Sequence, residues 1–175
     1  MSSPDPALSA LPAAPVIRPA VPGDVPAIVA LVQGLAAHAG DAGLARVTPV
    51  ALHAALHGPQ PCLAALVGET EGRMAGICLH SRIFSTWRGV PGFYVIDLYV
   101  VPEARGSRLG ERLLTRLAAD GQAEGCGFIR LDVDVENAGA RRFYRRLGFA
   151  HVVRDQSFAI GGDAFTALAA RGRTA

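Results

Sequence analysis

The sequence predicts a mixed α/β protein, with a mainly antiparallel central sheet and flanking helices. Three observations carry this. Apolar runs of strand character interleave with segments whose apolar residues recur at helical spacing. Two of the runs, PCLAALVG (61–68) and RMAGICLHSRIFS (73–85), are consecutive and joined by the turn GETEG, as in a hairpin. A third run, GFYVIDLYVV (92–101), leads through a glycine-rich turn into a helix and then another strand, a β–loop–helix–β unit.

Taken in order, residues 1–14 mix Pro, Ala and Ser and are expected to be a loose, disordered tail. VIRPA, from Val16, reads as a short strand. In PGDVPAIVALVQGLAAHAG, Asp24 suits a helix N-cap and Pro26 its first turn. Ile28, Leu31, Val32 and Leu35 then follow at helical spacing. A second short helix is expected near residues 48–57. The run 92–101 is aromatic, β-branched and almost wholly apolar, which suits a central strand. Pro102 ends it. A helix from about Ser107 to Glu124 carries Leu109, Leu113, Leu114 and Leu117 on one face, and Gly125 and Gly127 stop it. FIRLDVDV (128–135) alternates cleanly as a strand. ENAGARRFYRRLGF reads as a helix that Gly148 terminates. HVV and QSFAI suggest a terminal pair of strands before a last short helix.

Composition bounds the function. Of 175 residues, 50% are hydrophobic and 18% charged, ample for a folded core. No apolar run is long enough to span a bilayer, and the first residues lack a signal-peptide pattern, so a cytoplasmic protein without membrane partners is expected. The formal net charge is only +2, which makes no general case for nucleic acid. All 17 basic residues are arginine, so no lysine is present to act as base or Schiff-base former. Cys62, Cys78 and Cys126 are widely spaced and odd in number, which argues against a disulfide framework or a metal site.

RGSRLG, Arg105–Gly110, is the most informative stretch. It opens a helix directly after a buried strand. The first N–H groups of a helix have no partners inside it and carry the positive end of the helix dipole. A phosphate group suits that concavity. Gly106 and Gly110 let the backbone come close, and Arg105 and Arg108 add charge. The same six residues would also serve as a plain strand-to-helix turn. Neither GxxxxGK[ST] nor GxGxxG is present.

DLYVVPEARGSRLGERLL is similar to the coenzyme-binding segment of the GNAT superfamily of N-acetyltransferases, whose core is [Q/R]xxGx[G/A] after a strand ending in V-x-P. ENAGARRFYRRLGF resembles the second signature of that family, and IRPAVPGDVPAIVALV its opening strand and helix. The likeness runs from about residue 16 to 153. IFSTWRGVPGFYVIDLYV and SFAIGGDAFTALA resemble the diamine and polyamine acetyltransferase branch. LDVDVENAGARRFYRRLGF is also similar to N-terminal protein acetyltransferases.

The resemblance implies one N-acetyltransferase domain over residues 15–175 and acetyl-CoA as donor, with no metal. It implies that Leu98, Tyr99 and Val100 pair through their backbone with the pantetheine arm. The segment Arg105, Gly106, Ser107, Arg108, Leu109, Gly110 and Glu111 would hold the pyrophosphate, with Asn137 and Ala140 near the reactive end. Tyr144 is placed as the acid that protonates the departing thiolate. The acceptor would be the primary amine of a small molecule, reacting directly in a ternary complex. A protein N-terminus, or a catalytically silent acyl-CoA sensor, are the rival readings. Many relatives pair, so a homodimer is open to this chain.

The base is less plain. Where the polyamine branch carries Glu-Asp, this chain has Ile96 and Asp97. Asp97 would need a partner or a task in an apolar strand: base, water positioning or a structural hydrogen bond. His80 is another candidate base or a plain strand histidine. Asp132 and Asp134 would attract a cationic amine or form the solvated face of their strand. Arg108 replaces the middle glycine of the family motif, and Glu136 replaces a tryptophan. Arg141, Arg142, Arg145 and Arg146 form an exposed basic face or contact the 3′-phosphate of the coenzyme.

Overall fold

A computed structural model describes residues 14–172. The expected tail lies, but for Ala14, outside the described residues. The chain divides into two compact units, the first ending at Asp132 and the second beginning at Val133.

The first unit holds a five-stranded sheet in sequential order: β1 (Val16–Pro19), β2 (Ala64–Thr70), β3 (Arg73–Ser85), β4 (Val90–Val100) and β5 (Ile129–Leu131). The first three pairings are antiparallel and the last is parallel, the mixed, mainly antiparallel sheet expected. The hairpin between β2 and β3 tightens to Glu71 and Gly72, both with positive φ, the backbone of a two-residue turn that keeps the strand twist. The strand 92–101 is internal only in part: β5 pairs with Phe93, Tyr94 and Val95 alone. The expected strand 128–135 shrinks to three residues for the same reason.

Helices cover both faces. On one face lie α1 (Val25–His38) and α2 (Pro49–His57). Val25, Ile28 and Val29 of α1 and Leu52 and Leu56 of α2 pack with Val67, Ile77, Leu79 and Tyr99. On the other face lies α3 (Leu109–Ala123), which buries Leu109, Leu113, Leu114 and Leu117, the apolar stripe read from the sequence. Asp24 does not cap α1. Its carboxylate accepts from Arg18 at 2.6 and 2.9 Å and from the Val21 N–H at 2.8 Å. Those bonds to Arg18 hold its pKa below the usual carboxylate range. Thr48 does cap α2, its Oγ1 accepting from the Ala51 N–H at 3.2 Å.

The second unit contains α4 (Ala138–Arg146) and α5 (Gly162–Arg171). Gly148, with φ of 88°, closes α4 as expected. The terminal strands expected at 151–153 and 156–160 are absent: both segments are irregular and exposed. A strand needs a partner for its N–H and C=O groups, and these find none that makes a ladder.

Candidate functional site

The site begins where β4 loses β5. From Ile96 to Val100, β4 has β3 on one side and no strand on the other among the described residues. Val101 donates to the Ala75 carbonyl on the β3 side at 2.9 Å. By alternation, Tyr99 also faces β3 with its backbone, while Leu98 and Val100 turn theirs to the open side. Of the three residues expected to offer backbone there, Tyr99 is therefore committed to β3. Its ring is buried against α1, where a Cβ on Gly34 would meet it at 3.3 Å.

A bulge sets which way β4 faces. Leu79 pairs with Asp97 but His80 pairs with Val95, so Ile96 is an extra residue. An extra residue flips every following side chain to the opposite face. Phe93 lies on the α3 face, against Gly121, yet Asp97 shares the α1–α2 face with Leu79 and Tyr99. Ile96 itself stands 44% exposed. Desolvation raises the Asp97 pKa above the ordinary carboxylate value, as suits a group that must accept a proton near neutrality. This bulge was not legible in the sequence, since no residue type marks it.

Beyond Val101 a 3-10 turn (Pro102–Ala104) leads into RGSRLG. No side chain caps the start of α3. Its first backbone bond runs from the Arg112 N–H to the Arg108 carbonyl at 2.9 Å, so the N–H groups of Gly106 to Glu111 stand at the positive end of the helix. Arg108 has φ of 64° and ψ of 14°, the left-handed conformation that favours glycine. Its side chain is 78% exposed and leans toward Glu111, 3.5 Å away, rather than across the turn. Arg105 folds back: its Nε donates to the Val100 carbonyl at 3.2 Å and its guanidinium lies 5.9 Å from the Tyr99 ring centre. Ser107 closes the turn by donating to the Ala104 carbonyl at 2.6 Å.

What seats this helix end is a pair of glycines. Gly68 and Gly76 are cross-strand partners on β2 and β3. A Cβ on Gly68 would lie 2.7 Å from Leu109 Cδ1, and one on Gly76 3.1 Å from Leu109 Cδ2. Leu109 fills the niche they leave. Glycine inside two adjacent strands is a sequence sign of close approach that could have found this seat.

His80 is not brought to Asp97. It is buried on the α3 face, ring edge to Phe93 with centres 5.0 Å apart, its Nδ1 3.4 Å from the Cys78 carbonyl. Desolvation lowers its pKa. There it lines a cavity of about 570 Å³ with Leu66, Phe93, Leu117, Asp120 and Glu124, at the end of α3 away from RGSRLG. Asp132 accepts from the Tyr94 hydroxyl at 2.8 Å. Asp134 lies beyond the end of β5, and its carboxylate accepts from the Glu136 N–H at 2.8 Å. Both are tied locally, and they do not alternate on one strand as expected. No cluster of three or more His, Cys, Asp or Glu among the described residues could hold a metal.

In the second unit, Asn137 caps α4: its Oδ1 accepts from the Ala140 N–H at 2.9 Å. That bond occupies the Ala140 amide. Tyr144 sits between Phe143 and Phe149, with ring centres 5.1 and 5.5 Å away. Arg141 donates to the Val135 carbonyl at 2.7 Å, and Arg146 lies over the Phe143 ring.

Comparison with known proteins decides what this geometry belongs to. Residues 46–149 match the Acetyltransferase (GNAT) family. The chain belongs to that family. It is 32% identical to thialysine N-epsilon-acetyltransferase of Sus scrofa over 89% of this chain and 98% of that protein. It is also 32% identical to an N-alpha-acetyltransferase of Arabidopsis thaliana over 61% of this chain and 54% of that one. Among solved structures, an aminoglycoside acetyltransferase from a soil metagenome, in complex with sisomicin, superposes with a TM-score of 0.71 at 17% identity, covering 85% of this chain and 97% of that one. As a GNAT protein the chain is an N-acetyltransferase, and acetyl-CoA is the co-substrate of its family.

Proposed function

We propose that this GNAT acetyltransferase moves an acetyl group from acetyl-CoA directly to the primary amine of a small molecule, both held in one ternary complex. The observation that carries the reading is the uncapped start of α3 beside the open edge of β4. The two features fit the coenzyme: donors for a diphosphate at the helix end, and an unpaired strand edge for the amide groups of the pantetheine arm. When bound, acetyl-CoA supplies a thioester carbon open to attack.

The chain's own residues then have distinct tasks. The amides of Gly106 to Glu111 hold the diphosphate, and Arg108 adds charge at the rim. Arg105 exchanges its bond to the Val100 carbonyl for the ligand, so Leu98 and Val100 offer their backbone to it. Asp97 accepts a proton from the substrate ammonium, directly or through water, and so frees the neutral amine to attack. As the C–N bond forms and the C–S bond breaks, Tyr144 gives its proton to the departing sulfur. A phenol pKa of about 10 is close to that of a thiol leaving group. Asn137, with Ala140 fixed by its cap, stands near the reacting end. Asp132 and Asp134 attract the cationic amine toward the site.

The likeness to an N-alpha-acetyltransferase favours a second reading, in which the amine is a protein N-terminus. The exposed apolar side chains Val152, Val153, Phe158 and Ile160 support pairing into a homodimer; the same proposal sets the enzyme in the cytoplasm, without nucleic acid or membrane partners. A test is release of CoA thiol from acetyl-CoA across a panel of small amines and N-terminal peptides. Turnover with small amines is expected, slowed about 10²-fold or more by Tyr144→Phe with coenzyme affinity little changed. Coenzyme binding without turnover on any amine would leave only a silent acyl-CoA sensor.

A further inference from the structure

We infer that Tyr94 is a positioning residue for the acceptor: its hydroxyl fixes the Asp132 carboxylate as the anchor of the incoming ammonium, on the sheet face that carries Asp97. The inference rests on the acetyl-transfer reading above and deepens it.

Tyr94 and Asp97 are three residues apart on β4, so in an unbroken strand they would face opposite ways. The extra residue at Ile96 undoes this. Ser81 pairs with Tyr94 and Leu79 with Asp97, so on β3 their partners are two residues apart and share a face. Two residues of strand span about 7 Å. The end of β5 brings a second carboxylate to the same face. Arg130 pairs with Tyr94 and Leu131 with Val95, so Asp132, one residue on, returns to the Tyr94 side. There the Tyr94 hydroxyl donates to Asp132 Oδ2 at 2.8 Å. Oδ1 accepts no hydrogen bond among the described residues. Burial raises the Tyr94 pKa, with Asp132 adding to it against the opposing pull of Arg130. The hydroxyl thus keeps its proton and stays the donor.

The two carboxylates suit two tasks. Asp97 is desolvated, which raises its pKa and fits it to take a proton. Asp132 is exposed and tied to a hydroxyl. A primary ammonium has three N–H groups. One proton passes to Asp97. Another N–H donates to Asp132 Oδ1, and still does so once the nitrogen is neutral. The freed lone pair then attacks while the amine stays held. Alone at the exposed end of β5, the Asp132 side chain would turn among its rotamers. The Tyr94 hydroxyl selects one of them, so less freedom is lost when the amine binds. The effect therefore falls on binding rather than on the chemical step.

The experiment measures steady-state rates with n-pentylamine and 1,5-diaminopentane at saturating acetyl-CoA, using the full chain and its Tyr94→Phe, Asp132→Asn and doubly substituted variants. Tyr94→Phe is expected to raise KM for the amine about 5-fold or more, with kcat within about 2-fold of wild type and acetyl-CoA affinity unchanged. Asp132→Asn should raise KM further. Adding Tyr94→Phe to it should change KM little, because the hydroxyl acts through that carboxylate. An unchanged KM in Tyr94→Phe, a loss confined to kcat, or effects of the two substitutions that multiply would overturn the inference and leave acetyl transfer intact. No turnover of either amine, or of a wider panel, while acetyl-CoA still binds, overturns both. Should Tyr94→Phe not fold, Asp132→Asn decides by the same split between KM and kcat.

Discussion

At the residue scale, the proposed role of Asp97 couples activity to a cost in stability. Its carboxyl is desolvated, so its pKa in the folded chain lies above the unfolded value. Between those two values the folded state binds more protons than the unfolded state, and stability falls as pH rises through that window. Asp97→Asn is expected to melt at a higher temperature than wild type at pH 7, with the difference shrinking as pH is lowered toward 4. The same variant should lose about 10²-fold or more in turnover. Melting curves across pH, set beside rates, check both halves; a variant less stable than wild type at pH 7 would contradict the assignment. Arg108 presents a second trade. A non-glycine residue in the left-handed region costs about 1 kcal/mol or more. Arg108→Gly should therefore raise the melting temperature by about 2–4 °C, while acetyl-CoA affinity is expected to fall as a positive charge beside the start of α3 is removed. A calorimetric melt and a binding titration on the one variant separate the two effects.

At the element scale, α3 is a rod pinned to the sheet at both ends. Leu109 sits in the niche of Gly68 and Gly76, and Gly121 rests on the Phe93 ring, where a Cβ would come within 2.7 Å. Gly68→Ala is expected to cost about 1–3 kcal/mol by overpacking and to weaken acetyl-CoA binding, because the displaced atom belongs to the first residue of the helix that presents the phosphate donors. Gly23→Ala meets nothing within 4 Å and serves as the control, with little change in either. Equal affinity in Gly68→Ala and wild type would show that the seat does not position the site. Much of this element was legible. The leucine stripe of α3, the strong strand before it and the uncapped turn all follow from periodicity and local composition. Gly148 marks the end of α4 in the same way. The bulge at Ile96 was not legible, because register depends on which residue of β3 lies opposite, and one sequence carries no record of pairing. Asp24 misled for a related reason: a good capping residue also suits a distant arginine, and Arg18 holds it instead.

At the scale of the whole molecule, the mixed, mainly antiparallel pairing could be read ahead of the structure, since short turns dictate antiparallel neighbours and a helical crossover dictates a parallel one. Where the sheet stops could not. Propensity says that HVV and QSFAI fit a ladder, and says nothing of whether a partner strand is in place. The same gap hid how little of β4 is paired with β5. That short pairing leaves backbone donors and acceptors at the edge beside a helix start with no side-chain cap. The proposed coenzyme site is thus made chiefly of main chain, with side chains that tune it.

The most direct measurement is a ¹H–¹⁵N titration of the labelled chain with acetyl-CoA. The amide signals of Gly106 to Glu111, with those of Leu98 and Val100, should move downfield and saturate together, as new hydrogen bonds form along the helix start and the strand edge. Saturable binding that leaves those amides unmoved, or no binding at all, would contradict the account at its centre.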